Sequence, residues 1–262
     1  MVDDGGDGDL APVVAPLNNV RLVRQANAGP AAARNRGVEA ACGDFLAFTD
    51  DDCLPDPGWL DALVVRHDRD PEALIGGRVE NLHPESAFSE ASQALCNFLC
   101  EFHGRSAGKW SFFPTNNLGC SRRGFEAIGG FDVRFRIAAA EDRDFGMRWR
   151  RTGRPLVFAP EALVGHAHLL SLRGFLRQHT IYGRGARILH RKMRARGERA
   201  FQLERSGFYL GLIAHPFRSK ARRPLLQCLL FLLSQAATAV GYFDEALFRE
   251  RYASPSSDVA RP

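Results

Sequence analysis

The first 170 residues alternate between short apolar runs and segments with apolar residues at helical spacing. Apolar runs bounded by polar residues, Gly or Pro predict buried strands. These runs fall at residues 21–24, 45–48, 74–79, 118–120, 156–158 and 162–164. Helical spacing, with Pro or Asp before it and Gly after it, predicts helices. The predicted helices cover residues 30–41, a segment after Pro57, 86–102, 122–128 and 141–151. This alternation predicts an α/β layer fold with a mostly parallel sheet flanked by helices.

The pattern changes after about residue 170. Residues 172–196 form a long, basic, amphipathic segment, and residues 225–243 are mostly apolar with a few polar interruptions. The apolar run is borderline for a membrane span, which needs about 20 apolar residues. Amphipathic helices that lie on a membrane or against the domain fit better. Plain core packing and a single span are the alternatives.

These patterns divide the chain into three regions. We expect an α/β domain over residues 1–170, a basic and apolar helical region over 171–250, and a flexible tail over 251–262. Each boundary follows from the change in hydrophobic pattern alone.

Three consecutive acids, Asp50, Asp51 and Asp52, follow the apolar run at 45–48. A strand that ends in acids places them at the edge of a sheet, where open α/β sheets bind ligands. Adjacent anions repel one another and need a counter-charge. A hard divalent cation takes oxygen ligands and bridges to phosphates. The cluster therefore predicts a metal–diphosphate site, with a solvated turn that caps the next helix as the alternative.

Two further clusters carry candidate chemistry. Glu141 and Asp142 open a predicted helix, where acids are stabilised by the helix dipole even without a function. A carboxylate beside a bound metal and diphosphate could also accept a proton from an attacking hydroxyl. His166 and His168 follow a predicted strand, and His166 is a candidate metal ligand. A purely structural histidine is the alternative.

Charge and cysteine content narrow the partners and the compartment. The chain carries a formal charge of +5, and residues 173–205 hold ten Lys or Arg and two Glu. Such a stretch indicates an anionic surface or a solvated helix face. Nucleic acid is disfavoured because aromatic and basic residues do not alternate in a regular pattern. The six cysteines form no framework, which predicts reduced thiols. The first ten residues are acidic and Gly-rich, unlike a secretory signal. We expect a cytoplasmic protein, at the inner face of the plasma membrane if it contacts lipid.

Five segments together resemble the family 2 glycosyltransferases. Residues 24–37 resemble the family's N-x-G-x-x-x-A-R-N-x-G segment, and residues 43–52 resemble its G-D-x-x-x-F-x-D-x-D segment. Residues 55–60 are similar to the continuation of that segment. Residues 129–132 and 141–145 are similar to the G-G-F-D and E-D-x-D-L elements. The resemblance covers about residues 1–190, with all five segments in the family's order.

The resemblance implies a GT-A fold, which is Rossmann-like and typical of nucleotide-diphospho-sugar transferases. It also implies transfer of a sugar, with inversion, from a nucleotide-diphosphate donor to a lipid-linked or saccharide acceptor. Asp52, Asp50 and His166 would bind Mg²⁺ or Mn²⁺. Asp142 would be the general base, with Glu141 beside it. The resemblance assigns contacts with the donor to Asp3, Asp4, Arg34, Asp50 and Asp51.

One departure from the family pattern concerns the start of the chain. Family members have a first strand and helix before the turn that matches residues 2–5, so we expect the chain to lack both. This leaves two alternatives to an active glycosyltransferase. One is an impaired fragment or pseudoenzyme that binds only nucleotide or a partner, and the other is a nucleotidyltransferase with a similar sheet and metal site.

Overall fold

The computed structural model describes residues 1–105, 112–198 and 206–244. The strands are β1 (Val2–Asp3), β2 (Val23–Arg24), β3 (Phe45–Phe48), β4 (Cys53–Pro55), β5 (Leu74–Asn81), β6 (Leu118–Ser121) and β7 (Leu156–His166). The helices are α1 (Ala11–Val14), α2 (Pro30–Ala40), α3 (Trp59–Arg69), α4 (Ala87–Arg105), α5 (Arg122–Ala127), α6 (Glu141–Arg151), α7 (Leu172–Ala195), α8 (Ser206–Arg218) and α9 (Pro224–Phe243). A short 3₁₀ turn, Thr115–Asn117, precedes β6.

The central sheet is mixed, with strand order β3-β6-β5-β7-β4. Among the described residues, the β5–β7 pair is the only parallel one in this sheet; β3–β6, β5–β6 and β4–β7 are antiparallel. The prediction of a mostly parallel sheet is therefore wrong. The reason is that β6 enters between β3 and β5 in the opposite direction, and β4 crosses to the far edge beside β7. Strands β1 and β2 form a separate parallel pair.

Strand β7 corrects a second prediction. The apolar runs at 156–158 and 162–164 predict two short strands, but the structure has one strand that runs along the whole of β5. The register shifts between Gly77, which faces Ala159, and Arg78, which faces Leu163. Pro160 lies in the segment that the shift leaves unpaired, as expected for a residue that cannot donate to a ladder.

An aromatic core fixes α5 and α6 against the end of β3. The Phe131 and Phe145 rings stack with centroids 4.3 Å apart, and Phe48 meets Phe131 edge-on at 5.6 Å. Trp149 continues the cluster along α6 and is fully buried. Such aromatic contacts are worth about 0.5–1.5 kcal/mol per pair beyond the burial of their area. The start of α6 is thereby held close to the acids that follow β3.

The C-terminal helices pack against α4 around a second core. This core includes Leu95 and Phe98 of α4, Phe175 of α7, Phe208 of α8 and Phe231 of α9. The apolar side chains predicted at helical spacing in α4 therefore face the C-terminal helices. The division at residue 170 stays a prediction, and the tail at 251–262 lies outside the described residues.

Helices α7 and α9 cross at two glycines. A Cβ atom on Gly183 would collide with the carbonyl oxygen of Thr238, and one on Gly241 would collide with that of Thr180. This close approach joins α9 to α7 along one face.

By length and composition α9 is the one helix within the described residues that could cross a membrane. The most apolar window of 18 residues has a mean hydropathy of 1.5, and a third of that window is buried.

Part of the positive charge of α7 is neutralised inside the protein. Arg184 pairs with Asp244, Lys192 with Asp132, and Arg196 with Asp144. The basic segment is therefore only partly available to an external anionic surface.

Candidate active site

A cleft of about 840 Å³ lies between the sheet edge, α4, the start of α6 and α7. Six of the residues singled out from the sequence line it, namely Arg34, Asp50, Asp52, Glu141, Asp142 and His166. Residues separated by more than a hundred positions in the chain are thus brought to one cavity. Asp3, Asp4 and Asp51 are not among the lining residues of this cleft, as far as the described part of the chain extends.

One wall of the cleft is built where β4 meets β7. The antiparallel register pairs Cys53 with His166, and the amide of Ala167 donates to the Asp52 carbonyl at 2.8 Å. These contacts bring the Asp52 carboxylate within 3.2 Å of Nε2 of His166. The contact with His166 is the main cause that lowers the pKa of Asp52, so this carboxylate stays charged at neutral pH.

This wall has the donor set of a divalent cation site. Ligand atoms of Asp52, Cys53 and His166 all lie within 4.8 Å of one another. Burial, reinforced by the Asp52 and Asp50 charges, raises the pKa of Cys53 to about 12, so its sulfur stays a neutral thiol. The remaining donors are the Asp52 carboxylate and one imidazole. A carboxylate with an imidazole beside it fits Mg²⁺ or Mn²⁺.

Arg34 of α2 links this wall to a second one, which is the first turn of α6. Its guanidinium donates to Asp50 Oδ1 at 2.9 Å and to Glu141 Oε1 at 2.8 Å. Burial alone would lower the pKa of Arg34, but the two carboxylates outweigh it and raise the pKa. A planar fork with several fixed donors can hold two acids in one geometry. Arg34 therefore fixes the distance between the acids after β3 and those that begin α6.

The second wall is the first turn of α6. Ala140 precedes it in the left-handed conformation, with φ 68°, which is uncommon for a residue with a side chain. Burial is the main cause that raises the pKa of Glu141, to about 7, and the Asp142 charge adds to it. Burial also raises the pKa of Asp142. Glu141 is 5% exposed, and its Oε2 has no hydrogen-bond partner among the described residues.

Asp144, in the same turn of α6, has a structural role. Asp144 is fully buried and accepts from Arg148 at 2.7 Å and from Arg196 at 2.9 Å. Asp144 links α6 to Arg196, which directly follows α7. Its structural role differs from the position of Glu141 and Asp142, which line the cleft. Asp142 Oδ1 accepts from the amide of Arg143 at 2.7 Å, while its side chain lines the cleft.

Asp3, Asp4 and Asp51 do not line the cleft in the described part of the chain. Asp4 accepts from Gln25 Nε2 at 2.7 Å and from the amides of Ala28 and Gly29 at 2.9 Å, which anchors the loop that leads into α2. Asp3 accepts from the amide of Gly6 at 2.9 Å. Asp51 is exposed in the turn after β3. Their contacts with a donor stay predictions.

Sequence reasoning missed several polar residues that line the cleft. Gln93 of α4 contacts His166, and Asn116 carries a buried Oδ1 without a hydrogen-bond partner among the described residues. His179 of α7 is buried, and burial lowers its pKa to about 4. Gln93 could have been found, because it and Asn97 are amide residues one turn apart on the predicted helix.

Comparison with known structures identifies the fold. A mannosyltransferase from Pyrobaculum calidifontis, solved with GDP-Man and Mn²⁺, superposes with a TM-score of 0.59 at 16% identity. The match covers 93% of this chain and 77% of that one. This likeness confirms the predicted GT-A class of α/β fold.

Sequence comparison supports the predicted family resemblance. A pre-mycofactocin glycosyltransferase of Mycobacterium tuberculosis is 33% identical over 163 residues, which are 60% of this chain and 34% of that protein. A glucosyl-dolichyl phosphate glucuronosyltransferase of Haloferax volcanii is 34% identical over 171 residues, 61% of this chain and 52% of that protein. The chain thus spans about a third to a half of the length of these relatives. Residues 1–126, just under half of the chain, match the family model Glycosyl transferase family 2, which confirms the predicted resemblance to that family.

Proposed function

We propose that this chain transfers a sugar, with inversion, from a nucleotide-diphosphate donor to an acceptor hydroxyl, and that a divalent cation is required. The observation that carries the proposal is the Arg34 bridge. It joins the acids that follow β3 to the acids that begin α6 across one cleft. The resemblance to the family and the nucleotide-sugar and Mn²⁺ in the mannosyltransferase structure support the same proposal.

Asp52 and His166, with Asp50 nearby, would hold Mg²⁺ or Mn²⁺. When bound, such an ion neutralises the negative charge that develops on a departing diphosphate. Arg34 keeps one oxygen of Asp50 occupied, so Asp52 is the better-exposed carboxylate of the two, at 44%. The geometry favours a leaving group held at the sheet edge, with Arg34 adding positive charge close to it.

The acceptor would be activated from the opposite wall. Asp142 borders the cleft, and its raised pKa improves its ability to take a proton from a hydroxyl. Glu141, held by Arg34, would position the first turn of α6 and keep Asp142 at a fixed distance from the donor. Attack from one wall and departure toward the other produces inversion at the anomeric carbon.

The acceptor is a saccharide or a lipid-linked molecule, and α8 and α9 favour contact with the cytoplasmic face of a membrane. Their solvent faces expose Leu210, Ile213, Phe217, Leu225, Leu229 and Leu232. The two faces meet where Cys228 Sγ donates to the Ile213 carbonyl at 3.4 Å. The connecting stretch 218–223 holds four cations and no acid. Apolar side chains flanked by cations suit an anionic bilayer.

Liposome flotation tests this membrane contact. We expect salt-sensitive binding to anionic vesicles, lost when Ile213 and Leu229 are both replaced by Glu. Leu60→Glu, on the exposed face of α3, is the control and should float like the wild type. Equal flotation of the double variant, or none by the wild type, would remove the bilayer from the proposal.

Transfer itself is tested with a panel of nucleotide-diphosphate sugars. We expect one donor to release nucleoside diphosphate in the presence of Mn²⁺ and a saccharide acceptor, with no release in chelator. NMR of the product should show the anomeric configuration inverted. Tight nucleotide binding without any turnover would favour the impaired, binding-only alternative. Release of a sugar 1-phosphate, the leaving group of nucleotidyl transfer from such a donor, would favour a nucleotidyltransferase.

A further inference from the structure

Polar side chains of α4 form a continuous hydrogen-bond chain that ends at His166. Asn97 Nδ2 donates to the Val79 carbonyl at 3.3 Å, and Gln93 Nε2 donates to Asn97 Oδ1 at 2.9 Å. Gln93 Oε1 lies 3.2 Å from His166 Nδ1. Gln93 and Asn97 are four residues apart, so their side chains lie along one face of the helix.

The first bond of this chain fixes the direction of all the others. A backbone carbonyl can only accept, so Asn97 must present its amide nitrogen to Val79 and its oxygen to Gln93. Gln93 must then present its nitrogen to Asn97 and its oxygen to His166. Because that oxygen also only accepts, the hydrogen lies on Nδ1 of His166. In a neutral imidazole, Nε2 is then left with a free lone pair.

This lone pair faces another acceptor. His166 Nε2 lies 3.2 Å from Asp52 Oδ2, and the two atoms repel unless a second proton or a cation lies between them. Two ligands bound to one cation at right angles, with bonds of about 2.1 Å, are about 3 Å apart. The observed separation therefore fits two ligands of one ion. Histidine ligands commonly donate their other N–H to a group that fixes the tautomer.

We propose that Gln93 and Asn97 are positioning residues of the cation site. They hold His166 in the Nδ1–H tautomer and direct Nε2 toward a divalent cation shared with Asp52. Neither residue touches the reacting groups, and both act through the imidazole. The inference rests on the proposed function, because it requires that the Asp52–His166 pair binds a cation.

The test has two readouts that do not depend on turnover. The first is the tautomer of His166 in the full chain labelled with ¹⁵N-histidine, assigned by the signal that His166→Ala removes. The second is the affinity for Mn²⁺ alone, followed by the EPR signal of the free ion. Gln93→Met keeps the size of the side chain but removes the acceptor, whereas Gln93→Glu keeps the acceptor. Gln178→Ala, in the same cleft on α7, is the matched control.

We expect the wild type and Gln93→Glu to carry the hydrogen on Nδ1, and Gln93→Met to lose this preference. Gln93→Met should bind Mn²⁺ about 10- to 100-fold more weakly, as is usual when the partner of a histidine ligand is removed. Gln93→Glu and Gln178→Ala should bind Mn²⁺ at least as well as the wild type does.

Two results would overturn the inference in distinguishable ways. If His166→Ala loses Mn²⁺ affinity but Gln93→Met keeps both the affinity and the Nδ1–H tautomer, the positioning role is wrong and the proposed function stands. If His166→Ala and Asp52→Ala bind Mn²⁺ as the wild type does, the cation site of the proposed function fails as well.

Discussion

Two acidic clusters share one cleft but differ in their surroundings. Asp52 is 44% exposed, lies beside an imidazole and has a lowered pKa. At the start of α6, Glu141 is buried and Asp142 is half-buried, and burial raises the pKa of both. Carboxylates whose environments push their pKa values apart take different roles in a reaction. The charged acid suits a cation and the less exposed pair suits proton transfer, although both clusters are simply consecutive acids in the sequence.

The largest expected effect comes from a substitution in the first turn of α6, which carries Asp142. Asp142→Asn keeps the shape of the side chain but cannot take a proton at neutral pH. We expect turnover to fall by about 10²- to 10⁴-fold, the usual contribution of a general base. The steady-state rate with the best donor measures this, and Asp61→Asn on the exposed face of α3 is the control. Near-normal turnover of Asp142→Asn would remove it from the role of base.

The next largest effect should come from cutting the link between the clusters. Arg34→Met leaves Glu141 buried without its counter-charge. Breaking a buried pair costs about 3–5 kcal/mol, and the partial exposure of Asp50 lowers the cost here. Urea unfolding measures the loss. Arg36→Met, on the same helix in an exposed pair with Glu39, should change stability by at most about 0.5 kcal/mol. Similar losses in both variants would contradict the bridging role.

The pH dependence sharpens the same contrast. Because the folded-state pKa of Glu141 is raised from 4.5 to about 7, the folded protein holds a proton that the unfolded chain releases. This contribution to stability is complete below pH 4.5 and is lost as the pH rises through about 7. Turnover should instead rise with pH, since Asp142 must be charged to act as a base.

Unfolding free energies between pH 4.5 and 8 measure the stability trend. Glu141→Gln, which cannot titrate, should flatten it. A wild-type stability that does not fall over this range, or an unchanged slope in Glu141→Gln, would show that Glu141 does not carry the shift.

The smallest expected effect comes from the backbone conformation of Ala140, the residue before α6. The left-handed conformation costs an L-residue about 1–2 kcal/mol, and Ala140 adopts it. Ala140→Gly should stabilise the protein by up to about 1 kcal/mol after the greater entropy of unfolded glycine is subtracted. Thermal unfolding measures this gain. Ala94→Gly, within α4, should instead cost about 1 kcal/mol, and equal losses in both variants would mean that no strain is stored at Ala140.

The sequence predicts local elements well and their arrangement poorly. Strand β3 and helix α6 have the predicted bounds, because apolar periodicity and flanking Gly, Asp and Pro are local signals. Strand directions depend on how distant segments pair, so the antiparallel entry of β6 was not foreseen. Short elements such as β1, α1 and β4 carry too few residues to form a pattern.

The candidate site shows the same limit. Residue types and family segments single out Asp52, Asp142 and His166, and the structure places all three at one cleft. What the sequence does not contain is their environment. The Arg34–Glu141 contact spans 107 positions, and the Gln93–His166 contact spans 73. The burial that separates the two acidic clusters in pKa is created only when these segments meet.

The division of labour between the two clusters is tested most directly by calorimetric titration of GDP and UDP, with Mn²⁺ and with chelator. With Mn²⁺, we predict that Asp142→Asn binds its preferred nucleotide as the wild type does, whereas Asp52→Ala loses the metal-dependent part of the affinity. In chelator all three proteins should bind equally weakly. Equal Mn²⁺-dependent binding by Asp52→Ala, or an equal loss in Asp142→Asn, would contradict the assignment of the leaving group to one wall and the base to the other.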